Sequence, residues 1–377
     1  MSQSSVNGQA APLATAVAEA ARLINNSRQT IVAGLGADVA GARAALALAE
    51  RIGGVVDHMH SAALLRDLDV MRESGILLTT PGEARLRGDV ILLVGSGLFD
   101  AGLFDVTPDL ITRPLAPPAV GGPRRIFWLG ADASDQRGLA RIAGADHAQI
   151  EVAAFDEVPL CQGLAALRAR INRRRIALSG DLAAKIDTLA AALRSAAFGV
   201  AIWSASRLDA MTIEMLCGLI KDLNANTRFT GLPLPPGDNA AGVLQVCAWM
   251  TGLPMRTSFA RALAEHDPWL FEADRLVDSG EADCALWISA YGEAFPRWKQ
   301  SIPLIALVPA EVELPLTPAV RISIGRPGVD HDSVDYCGRI ATFALTSASR
   351  PSRALSVAEA LGLLAAAIGD GSGASSC

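Results

Sequence analysis

The sequence predicts an α/β protein built on two or more open sheets with helices on both faces. Three observations carry this reading. Short apolar runs of strand length recur along most of the chain, helical stretches with apolar residues at three and four spacing lie between them, and glycine-containing turns join one kind to the other. With 377 residues, 51% of them hydrophobic, the chain can bury more than one core, and two or three domains are expected.

Taken in order, residues 13–24 read as a helix with an apolar stripe. The run T-I-V-A at 30–33 reads as a strand that turns through Gly34 and Gly36 into a helix over 37–52. Strands are expected at 55–57, 89–94, 125–129, 199–203, 285–288 and 302–308, with helices at 182–193 and 209–223. The stretch L-P-L-P-P-G-D at 232–238 is too rich in Pro and Gly to continue either element and reads as a loop. Strand-like alternation returns at 314–323 and 339–345, a last helix spans 356–368, and G-D-G-S-G-A-S-S-C at 369–377 has the composition of a flexible tail.

This order suggests a first α/β domain over 1–160, with 310–350 packing back on it, and a second over 161–309. Residues 310–368 would supply C-terminal strands and a helix. The region 156–179, which contains N-R-R-R at 172–175, reads as the connection between the two domains.

A net charge of -6 and a pI near 5.5 give no electrostatic footprint for nucleic acid, which is excluded as a partner. The N-terminal sequence M-S-Q-S-S-V-N-G has no signal-peptide pattern, and no stretch reaches the roughly 18 uncharged apolar residues that span a bilayer. A cytoplasmic protein with no membrane partner is expected. The cysteines at 161, 217, 247, 284, 337 and 377 contain no C-x-x-C pair, so iron-sulfur and structural zinc signatures are absent.

Gly34-x-Gly36 is the first candidate site, because glycines at a strand-to-helix turn let a phosphate approach a helix N-terminus. Asp57 falls about where a ribose-binding acid would belong. The third glycine of the fingerprint is missing, since position 39 is Val and the next glycine is Gly41. A tight turn is the preferred reading over nicotinamide binding. His58 and His60 form an H-x-H pair that a strand end would aim at one metal ion, as in zinc hydrolases. The other histidines, His147, His266 and His331, stand in no metal-ligand spacing with a carboxylate. The acidic run Asp330 to Asp335 lacks the spacing of a calcium loop and reads as a solvated turn. Neither G-x-S-x-G nor a phosphate loop occurs.

Several segments together resemble the molybdopterin oxidoreductases, and more narrowly the B subunit of formylmethanofuran dehydrogenase. They are the unit from Gly34 to Ser61, G-D-V-I-L-L-V-G-S at 88–96, G-D-N-A-A-G at 237–242 followed by C-A-W-M-T-G-L-P, and G-V-D-H-D-S-V-D at 328–335. Their order and spacing through residues 28–345 carry the resemblance. It implies Rossmann-like open sheets, without the iron-sulfur region and C-terminal barrel of that family.

Catalytic members of the family hold a tungsten or molybdenum pterin, a metal-ligating cysteine or selenocysteine and an N-terminal iron-sulfur cluster. On this resemblance the ligand would fall just after V-V-D-H-M-H-S, at Ala62 and Ala63, and the first cysteine is Cys161. Loss of the metal pterin, of the cluster and of catalytic residues is therefore expected. A bacterial offshoot, the B subunit of the formyltransferase/hydrolase complexes of methylotrophs, is similar in these losses. Such a complex moves a formyl group from a pterin carrier to a furan-type carrier and hydrolyses it to formate, in the oxidation of formaldehyde.

The resemblance thus implies a non-catalytic structural subunit whose partners are the hydrolase and formyltransferase subunits. It also implies a vestigial crevice near Gly34, Gly36, Asp238, Asn239, Gly328 and Asp330. The alternatives are a metal-dependent hydrolase using His58 and His60, or an active pterin or nicotinamide oxidoreductase. Among Trp249, Trp269, Trp287 and Trp298, the segment carrying Arg297 and Trp298 is expected at a subunit interface.

Overall fold

A computed structural model describes residues 4–107, 110, 124–142, 148–153, 158–298 and 301–369. The chain divides into two units, one of residues 1–61, 238–336 and 343–377, the other of 62–237 and 337–342. The first unit opens with β1 (Ser4–Val6), β2 (Gln9–Ala11), α1 (Leu13–Asn25), β3 (Thr30–Gly36), α2 (Val39–Ile52) and β4 (Val55–Val56). The second begins with α3 (Ser61–Ser74), α4 (Pro81–Arg87), β5 (Val90–Val94), α5 (Leu103–Val106), β6 (Arg124–Leu129), α6 (Ala133–Ile142) and β7 (Ala148–Ala153). It continues through α7 (Leu160–Ile171), α8 (Gly180–Arg194), β8 (Gly199–Trp203), α9 (Ala210–Leu223) and β9 (Phe229–Pro233).

The chain then returns with α10 (Ala240–Thr251), β10 (Thr257–Ser258), β11 (Glu265–His266), α11 (Ala273–Asp278), β12 (Cys284–Ser289), β13 (Leu304–Pro309) and β14 (Val320–Ile324). A hairpin of β15 (Ser333–Cys337) and β16 (Thr342–Thr346) and a last helix, α12 (Val357–Gly369), complete it.

The first unit is a nine-stranded sheet in the order β11-β10-β4-β3-β12-β13-β14-β1-β2. Its centre, from β4 to β14, is parallel. T-I-V-A-G-L-G, C-A-L-W-I-S and L-I-A-L-V-P are buried along their whole length, which is why these strands read as unbroken apolar runs. One face packs on α1, α2, α10 and α12 around Leu46, Val246, Leu286 and Leu364, and the other on α11 around Trp287, Leu276 and Val277. Gly41 allows α2 to approach α12, since a side chain there would come within 2.8 Å of Val357.

The second unit is a five-stranded parallel sheet in the order β7-β6-β5-β8-β9. Helices α7, α8 and α9 cover one face, and the other packs on Ala84 of α4 and Leu103 and Val106 of α5. Arg124, fully buried at the start of β6, donates to the carbonyls of Gly88 (2.7 Å), Arg85 (2.6 Å) and Leu110. It thereby meets carbonyls that the end of α4 leaves without intrahelical partners.

The expected domain boundaries at 160 and 309 are corrected. β3 and β4 belong with β12 to β14, so the first unit is assembled from both ends of the chain, and 62–237 is inserted between its parts. Sequence order does not reveal such pairing, because parallel strands need no short connection. The connection expected over 156–179 instead contains α7, whose Leu164, Leu167 and Ile171 lie in the core of the second unit. Strand β9 overlaps the loop expected at 232–238. An edge strand tolerates its terminal Pro233, and that placement defeats the composition argument. The short strands β1, β2, β10, β11 and β15, together with β7, carry too little pattern to be read from sequence. The expected tail beyond residue 369 lies outside the described residues. Among the described residues no helix is long and apolar enough to cross a membrane.

Gly199 pairs with Phe229 across β8 and β9, and a Cβ at 199 would fall 2.1 Å from the Phe229 ring. Gly199→Ala is expected to destabilise the second unit by about 1–3 kcal/mol through overpacking. Gly180→Ala, at the start of α8 where a Cβ meets nothing within 4 Å, is expected to be neutral or stabilising. Urea unfolding midpoints compare the two.

Candidate functional site

Strand β3 ends in Gly34-Leu35-Gly36. Gly34 and Leu35 are both left-handed, with φ of 76° and 55°, and the register with β12 slips between Trp287 and Ser289. This bulge turns the chain toward α2. At Gly34 a side chain would lie 2.6 Å from the Ile288 carbonyl and 2.9 Å from the Trp287 indole, so packing against β12 requires the glycine. The open side of Gly36 is occupied by Met59 and Asp238, which a Cβ would meet at 3.3 and 3.5 Å. Asp38 is buried and accepts the Gly41 N–H at 2.8 Å, and burial raises its carboxyl above the usual range. The N-terminus of α2 therefore already has an acceptor from its own chain, where a phosphate would otherwise bind.

His58 and His60 follow β4 and do converge, but on each other and on Asp238. The His60 backbone N–H donates to His58 Nδ1 at 3.0 Å, which leaves the proton of a neutral ring on Nε2. Nε2 then donates to the Asp238 carbonyl at 3.2 Å, and the His58 N–H donates to Ser61 Oγ at 3.0 Å. In this arrangement His58 has no lone pair left for a metal ion. Burial, joined by the neighbouring His60, pushes its pKa down to about 4. His60 Nε2 pairs with Asp238 Oδ2 at 3.0 Å, and this hydrogen bond lowers the Asp238 carboxyl.

Asp238 and Asn239 are consecutive left-handed residues, each with φ of 54°. Two such residues in a row, neither of them glycine, are strained and persist only where their surroundings fix them. Here the Asn239 carboxamide donates to the Ala37 carbonyl at 2.8 Å and accepts the Tyr336 N–H at 3.0 Å. It thereby links the turn after β3, the start of α10 and β15. Gly242 leaves room for that side chain, because a Cβ there would come within 2.2 Å of Asn239 Oδ1.

The acidic run is not a solvated turn. Asp330 accepts the Arg326 N–H at 2.8 Å, Asp332 accepts the Ala348 N–H at 2.8 Å, and Asp335 accepts Ser333 Oγ at 2.5 Å and the Tyr291 hydroxyl. Each carboxylate faces a different partner, and they do not converge on one point. Gly328, left-handed at φ 70°, shapes the same loop. Arg326 donates to the Tyr291 carbonyl at 2.5 Å and pairs with Glu311 at 2.6 Å. Tyr291 and Arg326 were not visible as site residues in the sequence, since no local motif marks them. The D-x-x-G spacing of Asp38 and Gly41 was a readable helix-cap signal.

Asp57 does not stand free for a ribose. Its Oδ2 accepts the Ala273 N–H at the start of α11 at 2.9 Å, and Oδ1 lies 3.6 Å from Arg256 Nε. Burial raises its pKa to about 6 despite that arginine. Trp298, expected at an interface, packs edge-on against Trp287 at 5.9 Å and donates to Asp274 at 2.7 Å. Trp249 and Trp269 are the outward-facing tryptophans, 62% and 63% exposed. Among the described residues no group of three or more His, Cys, Asp or Glu could hold a metal ion.

The buried neutral His58 makes stability depend on pH in a defined direction. Its folded pKa, about 4, lies below the ordinary value of 6.5, so its contribution is complete above pH 6.5 and is lost as the pH falls toward 4. Asp57, with a raised folded pKa, contributes in the opposite direction, which makes the comparison with a variant necessary. The stability difference between the natural protein and His58→Gln is expected to narrow by about 3 kcal/mol between pH 7 and pH 4. A difference that stays constant in urea titrations across that range would contradict the neutral, buried assignment.

No protein-family model matches the chain. It is 32% identical over 352 residues to the B subunit of the formyltransferase/hydrolase complex Fhc of Methylorubrum extorquens, covering 92% of each chain. It is 26% identical over 333 residues to the B subunit of the tungsten-containing formylmethanofuran dehydrogenase 2 of Methanocaldococcus jannaschii, covering 85% of this chain and 75% of that one. The corresponding Methanococcus maripaludis protein is 25% identical over 312 residues, covering 79% and 70%. Among solved structures, a chain of the formyltransferase/hydrolase complex FhcABCD from Methylorubrum extorquens, in complex with methylofuran, superposes with a TM-score of 0.86 at 31% identity. That match covers 97% of this chain and 99% of the other.

On the resemblance, the metal ligand of the archaeal relatives would fall at Ala62 and Ala63. Ala62 is exposed and Ala63 buried among apolar side chains, and neither carries a ligating atom. The buried thiols Cys247 and Cys284 are held in the protonated form by burial, the latter at about 12. The identity and coverage with the bacterial relative are sufficient to place the chain in the family of formyltransferase/hydrolase complex B subunits.

Proposed function

We propose that this chain is the B subunit of a cytoplasmic formyltransferase/hydrolase complex, assembled with hydrolase and formyltransferase subunits. It serves one-carbon metabolism from formaldehyde to formate with a furan-type formyl carrier. Its own role is structural: the two α/β units are a retained molybdopterin-oxidoreductase frame that carries no tungsten or molybdenum pterin, no iron-sulfur cluster and no catalytic residue. The match to a chain of FhcABCD over nearly its whole length supports membership in such a complex.

The observation that carries the non-catalytic reading is the saturation of the former cofactor edge by its own side chains. Asp38 caps α2, His58 has both ring nitrogens engaged, and His60 is paired with Asp238. A metal hydrolase would need His58 to offer a lone pair, and it offers none. A dinucleotide enzyme would need Gly36 and the start of α2 open to a phosphate. Burial, joined by the carboxylates of Asp335, Asp38 and Asp238, holds the Tyr291 hydroxyl protonated, and those same carboxylates would repel a pyrophosphate.

The complex rebuilt with His60→Ala is expected to assemble and to keep formyl transfer and hydrolysis within about twofold of the natural rate, because no step passes through this ring. Elemental analysis of the purified complex is expected to find no tungsten or molybdenum in stoichiometry with this chain. A tenfold loss of turnover in an intact complex, or a full equivalent of either metal, would overturn the structural assignment.

A further inference from the structure

Helix α7 ends in an arginine run that the domain connection expected from sequence does not explain. From 168 to 175 the sequence R-A-R-I-N-R-R-R holds five arginines and no acid, in a chain of net charge -6. The first two are balanced, Arg168 by Asp222 at 2.9 Å and Arg170 by Asp187 at 3.1 Å. These two also lie in the last turn, where cations suit the helix dipole.

The other three lie past the helix end. The Arg173 N–H bonds the Arg170 carbonyl at 3.0 Å and the Arg174 N–H bonds the Ala169 carbonyl at 2.8 Å, closing the helix in a Schellman turn. Arg173 takes the left-handed position, φ 56°, where glycine is the usual residue. The turn sends Arg173, Arg174 and Arg175 into solvent, each exposed and without an ion pair among the described residues.

Beside this turn lies an open cleft of about 460 Å³ between α7 and α9, bounded by Ala165, Arg168, Ala169, Asn172, Arg174 and Met215. Its walls are apolar at Ala165, Ala169 and Met215 and cationic at its edge. Arg168 packs closely on Gly218, where a Cβ would come within 2.3 Å of its guanidinium, and its Nε donates to Asp222 at 2.9 Å.

We propose that this turn and the cleft beside it dock an acidic segment of a partner subunit, with carboxylates on Arg174 at the cleft edge and on Arg173 and Arg175 of the turn, and an apolar side chain against Met215. The proposal rests on the chain's place in a heteromeric complex and names the face and chemistry of one contact. Unbalanced guanidinium groups favour bidentate carboxylate pairs. The acidic balance of the whole chain disfavours a nucleic acid at the same place.

The test uses the full chain co-expressed with the other subunits of the complex, and compares Arg173→Glu/Arg174→Glu/Arg175→Glu with the matching triple lysine variant. Charge reversal is expected to weaken retention of this chain in the complex at least about tenfold, and the lysine variant to stay within about threefold of the natural chain. Retention of the natural chain is expected to fall with added salt, and unfolding midpoints to be unchanged because all three side chains are exposed. Natural-strength assembly by the glutamate variant overturns this inference alone and leaves the functional reading standing. Failure of the natural chain to assemble overturns both. Capture of a single-stranded oligonucleotide by the arginines, with assembly unaffected, also overturns it.

Discussion

The parallel pairing of β3 with β12 is the constraint on which the first unit depends. Asp283, one residue before β12, accepts hydrogen bonds from Ser27 Oγ at 2.6 Å, and from the N–H groups of Arg28 and Gln29 at 3.1 Å, just before β3 begins. Burial opposes ionisation of this carboxyl, but the Ser27 hydroxyl and the two backbone groups hold it well below the usual range. One carboxylate thus fixes the start of two strands whose residues lie 254 positions apart. From that anchor the register runs without slip to Trp287, and the bulge at Gly34 and Leu35 falls at the opposite end of the strands.

The consequences gather at that opposite end. In an open parallel sheet the carboxyl ends of the strands are where ligands ordinarily enter. Here the same edge is built from groups that complete one another: a cap at Asp38, a neutral imidazole with both nitrogens used, a hydrogen bond between His60 and Asp238, and a carboxamide at Asn239 that reaches two backbone segments. Buried polar groups are tolerated only when they are satisfied, and a network of this kind specifies a single arrangement of its loops. A fold that binds a cofactor at this edge would obtain that order from the cofactor. This chain obtains it from its own side chains.

The two units divide the work differently. In the first, strands from both ends of the chain meet, and the polar network ties their loops together. In the second, residues 62–237 supply all five strands of the sheet, and the charged run at the end of α7 lies on its outer helices. An insertion of this size is compatible with folding because its own core, around Trp203, Leu167 and Phe229, is complete without the first unit.

Much of the fold was legible in the sequence. Strand β8 appears at the residues expected, 199–203, and the helices at 13–25, 39–52, 180–194 and 210–223 lie within two residues of their expected limits, because apolar periodicity survives in any buried element. The class, the alternation of strand and helix and the resemblance that named the family also came from local pattern and motif order. What the sequence could not contain was which strands lie side by side, since parallel pairing leaves no mark in the spacing of the chain.

For the same reason it marked Gly34, Gly36, Asp238, Asn239, Gly328 and Asp330 as lining a crevice, and His58 and His60 as a metal pair to be weighed, without showing that His60 reaches Asp238 or that Asn239 reaches Ala37 and Tyr336. Whether a histidine offers a lone pair, or an aspartate a free oxygen, depends on a partner as much as 180 residues away, as Asp238 is from His58. Composition and motif determined the kind of protein, and only the tertiary contacts decided that its most suggestive residues bond to one another.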